Sequence, residues 1–416
     1  MSTMNTTDPQ TQQIGAFRQN LPSIQSSVIA AGIVGSALLL WLTATSQGSA
    51  KSVLFLLGLA LGVTLFHSRF GFTSAWRQLV SVGQGRALHA HTVMLGLAVV
   101  LFAIVFEIGS GWFSTSPNGY YAPITLALFI GAALFGIGMQ LGGSCASGTL
   151  FATGSGNLAV GITLVGFIIG SGLGVAGFDF WTTGSGFQKF ADPVSFRAEF
   201  GLWGGVALSL AILAAIAVAA ELIIRRRRPP ALESVPSTVG IARIARGSWP
   251  IWVGAIGLAV LNALVLLTTG RPWGVTSAFR LWASKIMNNV GIDVASWSFW
   301  NERPGLDASL LADNTSVANF GIILGALIAS AAAGAFSFYK KVPGRTVAAG
   351  LIGGALMGYG ATFAAGCNIG AYFSGIASGS LHGYLWAVAA LVGTYIGLKL
   401  RPLFALPVPK PTDSSC

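Results

Sequence analysis

Two cysteines of this chain lie in matched surroundings inside apolar sequence. Aligning GMQLGGSCASG (138–148) with GATFAAGCNIG (360–370) sets Cys145 on Cys367 and Gly148 on Gly370. Ser144 and Asn368 stand beside the thiols, and Gly142, Gly143 and Gly366 precede them. A single buried cysteine packs as a small hydrophobe. Two in register, each with a small polar neighbour and a glycine three residues on, point instead to contact with a ligand. A thiol is soft and polarisable with a weak S–H donor, so it suits a ligand's sulfur or selenium atom better than hard oxygen. Neutral thiols could pass a sulfur-containing anion along by successive hydrogen bonds, whereas thiolates would repel it. Half-helix N-termini after these loops would offer N–H groups and a positive dipole end to the anionic part.

A second motif also occurs twice. GFTSAWR (71–77) returns as GVTSAFR (274–280), differing only at Phe72/Val275 and Trp76/Phe279. Thr73 with Ser74 and Thr276 with Ser277 could complete hydrogen bonds to an oxyanion, or could cap local backbone. Arg77 and Arg280 could balance negative charge at a path entrance, or anchor at the interface by snorkelling. His67, His89 and His91 surround the first motif without a matching set in the second, a weak metal signal, and no metal or cofactor is expected. His382 is expected at an interface. There is no G-x-x-x-x-G-K-[ST] loop for nucleotide phosphates. The acidic residues fall in loops, tails or near helix ends, with Glu107 and Glu221 nearest membrane depth, so a mid-membrane carboxylate relay is not expected.

The elements that must position these residues are membrane helices. Of 416 residues, 53% are hydrophobic and only 8% charged, with a mean hydropathy of +0.73. The 56 glycines are about twice the ordinary share of roughly 7%. Apolar runs long enough for a bilayer predict ten spans, near 27–46, 52–67, 92–110, 121–139, 158–177, 201–224, 249–269, 319–338, 346–361 and 382–399. The net charge of +11 comes from basic residues in short loops, as topology signals do, and does not point to nucleic acid. With the N-terminus inside, most basic residues fall on the inner side, so both termini are expected in the cytoplasm. The first 26 residues lack the pattern of a cleaved signal peptide and read as a polar tail. Three cysteines, the third being Cys416 in the polar terminus, do not make a disulfide framework.

In this count GFTSAWR and GGSCASG fall on one side of the membrane and GVTSAFR and AAGCNIG on the other, so the halves are inverted repeats. The expected fold is an all-α polytopic membrane protein of about ten transmembrane helices, with short re-entrant loops or helices at the centre. The expected organisation is a tail (1–26), an extra helix (27–47), a first repeat (51–224), a basic linker (225–248), a second repeat (249–402) with an outer insert near 291–318, and a tail (403–416).

The paired GGSC and AAGC loops and the segments SRFGFTSAWR and RPWGVTSAFR resemble the YeeE/YedE family of sulfur-compound transporters, over about residues 52–400. The resemblance implies a bacterial inner-membrane permease for thiosulfate or a related sulfur or selenium species, with loop cysteines along a narrow central path. It also implies a small TusA-type sulfur-carrier protein as a partner in the cytoplasm. Family members with a cysteine in the first loop carry it in a run like SRFCF. Here Gly71 stands at that place, so Cys145 and Cys367 carry over and the first-loop thiol does not. The rival reading is a membrane-embedded thiol redox or sulfur-transfer enzyme; the absence of a C-x-x-C pair or flanking base argues against it. A third reading is a noncatalytic membrane subunit with inert cysteines.

Overall fold

The structure is a computed structural model that describes residues 22–229, 242–301, 303, 305–338 and 341–408. Most of the two tails and the centre of the basic linker lie outside the described residues. Ten helices among the described residues are long and apolar enough to cross a membrane. With no water in the hydrocarbon, helices satisfy their own backbone groups, which is why such sequences span as helices.

The first helix, α1 (Ser26–Gln47), exposes Ile33, Val34, Leu38 and Trp41, as a lipid-facing helix does. Then follow α2 (Ser49–Ser68), the short α3 (Phe72–Val82), α4 (Arg86–Ile108), α5 (Leu126–Leu141), the short α6 (Ala146–Gly154), α7 (Leu158–Ala176) and α8 (Phe196–Arg227). The second half comprises α9 (Ile251–Thr269), the short α10 (Thr276–Asn289), α11 (Asn314–Ala332), α12 (Gly344–Phe363), a π-helical turn at Asn368–Ser374, and α13 (Leu381–Leu400). Side chains cap several entries: Thr125 accepts from Leu128 N, Asn157 from Val160 N and Asp313 from Ser316 N. Such caps satisfy amide groups that a helix end leaves unpaired.

At 1.5 Å rise per residue, the 11 residues of α3 and the 9 of α6 reach only about half of a ~30 Å hydrocarbon layer. They are re-entrant pieces. Each follows a long helix after a sharp break: Arg69 is left-handed after α2, Gly143 after α5, and Ala365 with Gly366 after α12.

Packing follows the repeat. The pairs α7–α12 and α2–α11 have as counterparts α13–α5 and α9–α4, while α5–α12 and α2–α9 map onto themselves when the halves are exchanged. The α5–α12 seam makes the two-fold visible. A Cβ on Gly131 would lie 2.6 Å from Gly360 O, and one on Gly138 would lie 2.4 Å from Gly353 O. Gly131 corresponds to Gly353, and Gly138 to Gly360, so the two contacts exchange. Along the α2–α9 pair, Trp249 N donates to His67 O at 2.8 Å, joining the end of one helix to the start of the other. Equivalent helices therefore run in opposite directions, which is the inverted topology read from the motifs.

The insert is a folded cap. Ser298 donates to Asp179, Lys285 Nζ to Leu306 O at 2.5 Å, and Trp300 Nε1 to Ser284 Oγ at 3.1 Å. Residues 314–318, read from the sequence as part of the insert, are the first turn of α11, because Asp313 caps a helix starting there. A two-stranded pairing, Ile124–Thr125 with Lys189–Ala191, ties two loops on the same face. His382 departs from its interfacial expectation. It is fully buried, with Nδ1 2.7 Å from Ser380 Oγ and its ring edge-on to Tyr120, because the residues after the second cysteine loop fold inward before α13 begins.

Candidate functional site

Both cysteines are N-caps. Cys145 precedes α6 and Cys367 precedes the π-helical turn, each in extended backbone, with φ −92° and −116°. The alignment of GGSCASG with AAGCNIG thus describes backbone geometry as well as residue types. Each thiol thus stands at the N-terminus of a short element, where helix ends leave N–H groups free, as in anion sites. Ile369 N donates to Cys367 Sγ at 3.4 Å, and Cys145 Sγ lies 3.6 Å from Ser147 Oγ. The two short elements that these cysteines cap pack against each other. Cys145 is 3% exposed and Cys367 is fully buried.

Asn368 is fully buried, and among the described residues neither its Oδ1 nor its Nδ2 has a hydrogen-bond partner. A buried polar group left unpaired costs about 1–3 kcal/mol. An amide with both ends idle beside a thiol is poised for a ligand that supplies both an acceptor and a donor or water.

Beside the second cysteine loop, reaching Gly366 and Gly370, opens a cavity of about 520 Å³ whose wall carries Lys51, Arg271, Arg280 and Arg303 against one carboxylate, Asp313. That carboxylate is occupied in capping α11 through Ser316. Lys51 Nζ donates to Ala312 O at 2.6 Å. Arg303 stacks over Phe299 and Phe178, with 4.4 and 4.9 Å to the ring centroids, so the insert holds this cation at the rim. Tyr120, also on the cavity wall, donates its hydroxyl to Ala365 O at 2.8 Å. Like-signed charges in a low-dielectric funnel concentrate counter-ions, here anions.

The remaining residues expected at the site divide. Thr276 and Ser277 line the cavity, as do Gly366 and Gly370; Ser277 donates to Thr315 Oγ1 at 2.7 Å. Gly366 sits at φ 113°, a conformation that favours glycine and lets the chain turn into Cys367. Thr73 faces the Cys145 thiol and has no oxygen or nitrogen partner among the described residues. Gly148 admits Ser144, whose Oγ would be 2.1 Å from any added Cβ, and Gly142 admits Thr163 in the same way at 2.5 Å. Gly143 is exposed with open space around it. Ser74 is not brought to the path; its hydroxyl donates to Gly71 O at 3.1 Å, a local turn.

The three histidines separate. His67 bonds Gly247 O and stacks on Trp249, His89 bonds Ala217 O, and His91 is packed among Phe70, Phe72 and Tyr372. Among the described residues no group of three metal-ligating side chains converges.

Sequence reasoning missed Lys51, Tyr120 and Arg303, which come from three distant segments. Arg271 was within reach, since it opens the repeated RPWGVTSAFR segment. Arg280 was read more readily as an interfacial anchor, and the cavity makes it a wall residue.

Among curated proteins, the chain is 26% identical to the thiosulfate transporter TsuA of Spirochaeta thermophila over 352 residues, covering 82% of this chain and 96% of the relative. It is 25% identical to the Escherichia coli thiosulfate transporter TsuA over 363 residues, covering 81% and 91%. It is 28% identical to the E. coli probable transporter YedE over 162 residues, 38% of this chain and 40% of that one. The match to the sulphur transport family runs over residues 67–396 and so takes in both cysteine loops, both T-S-A segments and their shared two-fold packing: the chain belongs to that family.

Proposed function

We propose that this protein is an inner-membrane permease that imports thiosulfate or a closely related sulfur-containing anion through a path lined by Cys367, Asn368, Cys145 and Thr73. The observation that carries the reading is the unpaired Asn368 amide beside Cys367, in a loop whose Gly366 and Gly370 line a cavity walled by Arg271, Arg280, Arg303 and Lys51. The cations draw the anion in, the amide and N-terminal N–H groups take its oxygens, and the neutral thiols meet its terminal sulfur. The names of the two relatives spanning most of the chain support this substrate class.

The Arg280 cavity faces outward in this reading, and both termini face the cytoplasm. Arg69, Arg77, Arg86, Arg225 to Arg228, Arg243, Arg246, Arg345 and Arg401 gather at the opposite helix ends, as the positive-inside rule requires. Moving a dianion inward costs about 4.6 kcal/mol per 100 mV of inside-negative potential. Rapid consumption inside, with a TusA-like sulfur-carrier protein as the receiving partner, offsets that cost. The thiols act without covalent chemistry: their hydrogen-bond partners among the described residues, the Ser147 hydroxyl and the Ile369 N–H, are not bases.

The test is uptake of radiolabelled thiosulfate into proteoliposomes by the wild type, Cys145→Ala and Cys367→Ala, each checked for a monodisperse fold. Loss of uptake in both variants is expected. Unchanged uptake in folded variants removes the thiols from the path, and no uptake by the wild type moves the substrate to another sulfur or selenium species.

A further inference from the structure

The repeat is symmetric in backbone but not at its two mouths. On the Arg280 side a cavity reaches Gly366 and Gly370, the glycines that flank the buried Cys367. On the opposite side Gly143 is exposed, yet Cys145, two residues deeper, is closed off. The closure centres on Gln140, in the last turn of α5 and fully buried.

Gln140 is bonded three ways. Its Oε1 accepts from Arg77 Nε at 2.9 Å, its Nε2 donates to Thr73 O at 3.4 Å, and its backbone oxygen accepts from Arg401 Nη1. Arg401, 5% exposed at the end of α13, also donates its Nε to Pro407 O at 2.7 Å. One side chain and its carbonyl thus join the first cysteine loop, the first re-entrant helix and the last helix. In the other half the position equivalent to Gln140 is Thr362, whose hydroxyl bonds Gly358 O in its own helix at 3.0 Å. Among the described residues no side-chain amide bonds Arg280, the counterpart of Arg77; it lies 5.8 Å from the Phe299 ring centroid and lines the cavity.

Resting on the transport reading above, we infer that Gln140, held between Arg77 and Arg401, is the gate on the cytoplasmic side of Cys145, and that the transported anion opens it by displacing the Gln140 amide oxygen from Arg77. The amide oxygen is a neutral acceptor. Its bond to Arg77 has only one charged partner, whereas an anion adds direct charge–charge attraction to the guanidinium and is the stronger competitor. Release of Oε1 frees Gln140 from α3 and lets the Thr73–Cys145 contact open toward Gly143. Once the anion leaves, the amide returns.

The inference gives opposite signs for two small changes. Gln140→Ala removes the gate; Gln140→Glu supplies a carboxylate that the substrate cannot outcompete and locks it. Thiol accessibility reads the gate independently of transport. Right-side-out and inverted membrane vesicles holding the full chain with Cys416→Ala are treated with a cationic, membrane-impermeant methanethiosulfonate, and label at Cys145 is followed by peptide mass spectrometry. From the Arg77 face, Gln140→Ala is expected to label about tenfold faster than the parent, and Arg401→Gln faster as well. Gln140→Glu is expected to label no faster than the parent and to lose most thiosulfate uptake while thiosulfate binding is kept. Equal, slow labelling of Cys145 in all forms from both sides, or normal uptake by Gln140→Glu, overturns the gate. Parent vesicles that label as expected but take up no thiosulfate keep the gate and overturn the transport reading.

Discussion

The loop around Cys145 and the loop around Cys367 share one backbone and carry different chemistry. Each follows a long glycine-rich helix, turns through left-handed residues and places a cysteine as N-cap of a short element. The residue after the cysteine is Ala146 in one and Asn368 in the other; the residue five before it is Gln140 in one and Thr362 in the other. Symmetry therefore builds the frame, and a few unmatched side chains decide which mouth is open. This division is sensible physically, because close helix contact constrains backbone shape on both sides of the two-fold, whereas a side chain in a polar path is constrained only by its own ligand or lock.

The largest effects should come from attacking what the loops share. Gly136 and Gly358 are equivalent, and an added Cβ would lie 2.1 Å from Ala390 O and 2.2 Å from Phe167 O. Gly136→Val and Gly358→Val should both fail to give monodisperse protein in detergent, since overpacking against backbone costs about 1–3 kcal/mol or more. Gly344→Ala, with nothing within 4 Å, should behave as wild type. A folded Gly358→Val beside a lost Gly136→Val would break the equivalence of the halves.

Next comes the clearest difference between the loops. Asn368→Ala should lower thiosulfate uptake by about tenfold or more and raise the melting temperature, because removing an unpaired buried amide relieves about 1–3 kcal/mol of desolvation cost. Ala146→Asn should do the reverse to stability. A lower melting temperature for Asn368→Ala would mean that the amide is satisfied within the protein and is not kept for a ligand.

A smaller effect separates the two motif arginines. Arg280→Gln should raise the half-saturating thiosulfate concentration about tenfold and flatten its salt dependence, as loss of a funnel charge does. Arg77→Gln should leave half-saturation within about twofold, because Arg77 lies beyond the entry site. Identical shifts for both would place the entry funnel on the wrong face. The smallest contrast is between hydroxyls: Ser74→Ala should leave uptake within about twofold, its bond being a local turn. Ser277→Ala, on the cavity wall, should shift half-saturation a few-fold in the same assay.

Much of the fold was legible because hydropathy and helix length are tied by bilayer thickness. The ten spans, the lone polar cap beyond the second T-S-A segment and the inverted order of the motifs all follow from runs and repeats. Helix ends were less legible: α4 begins at Arg86 and α11 at Asn314, in polar sequence, because capping and intraprotein packing extend helices past their apolar stretch. Of the candidate site, the residues named from the sequence all come from the two repeated motifs, Asn368 among them. Tyr120, Lys51, Arg303, Gln140 and Arg401 have no partner motif, and their neighbours in space are far away in sequence. Ser74 shows the converse, a repeated hydroxyl whose bond is local.

What the sequence by itself determined is the class, the two-fold and the thiols: an apolar chain must span as helices, and a motif repeated with odd helix parity must be inverted. What only the tertiary structure decided is the asymmetry, with Arg280 in an open cavity, Arg77 tied to Gln140 and Asn368 buried without a partner. Those depend on which side chains from separate segments come within about 3 Å of one another, the range of a hydrogen bond. Composition and periodicity carry no information at that range, because it is set by how whole helices pack.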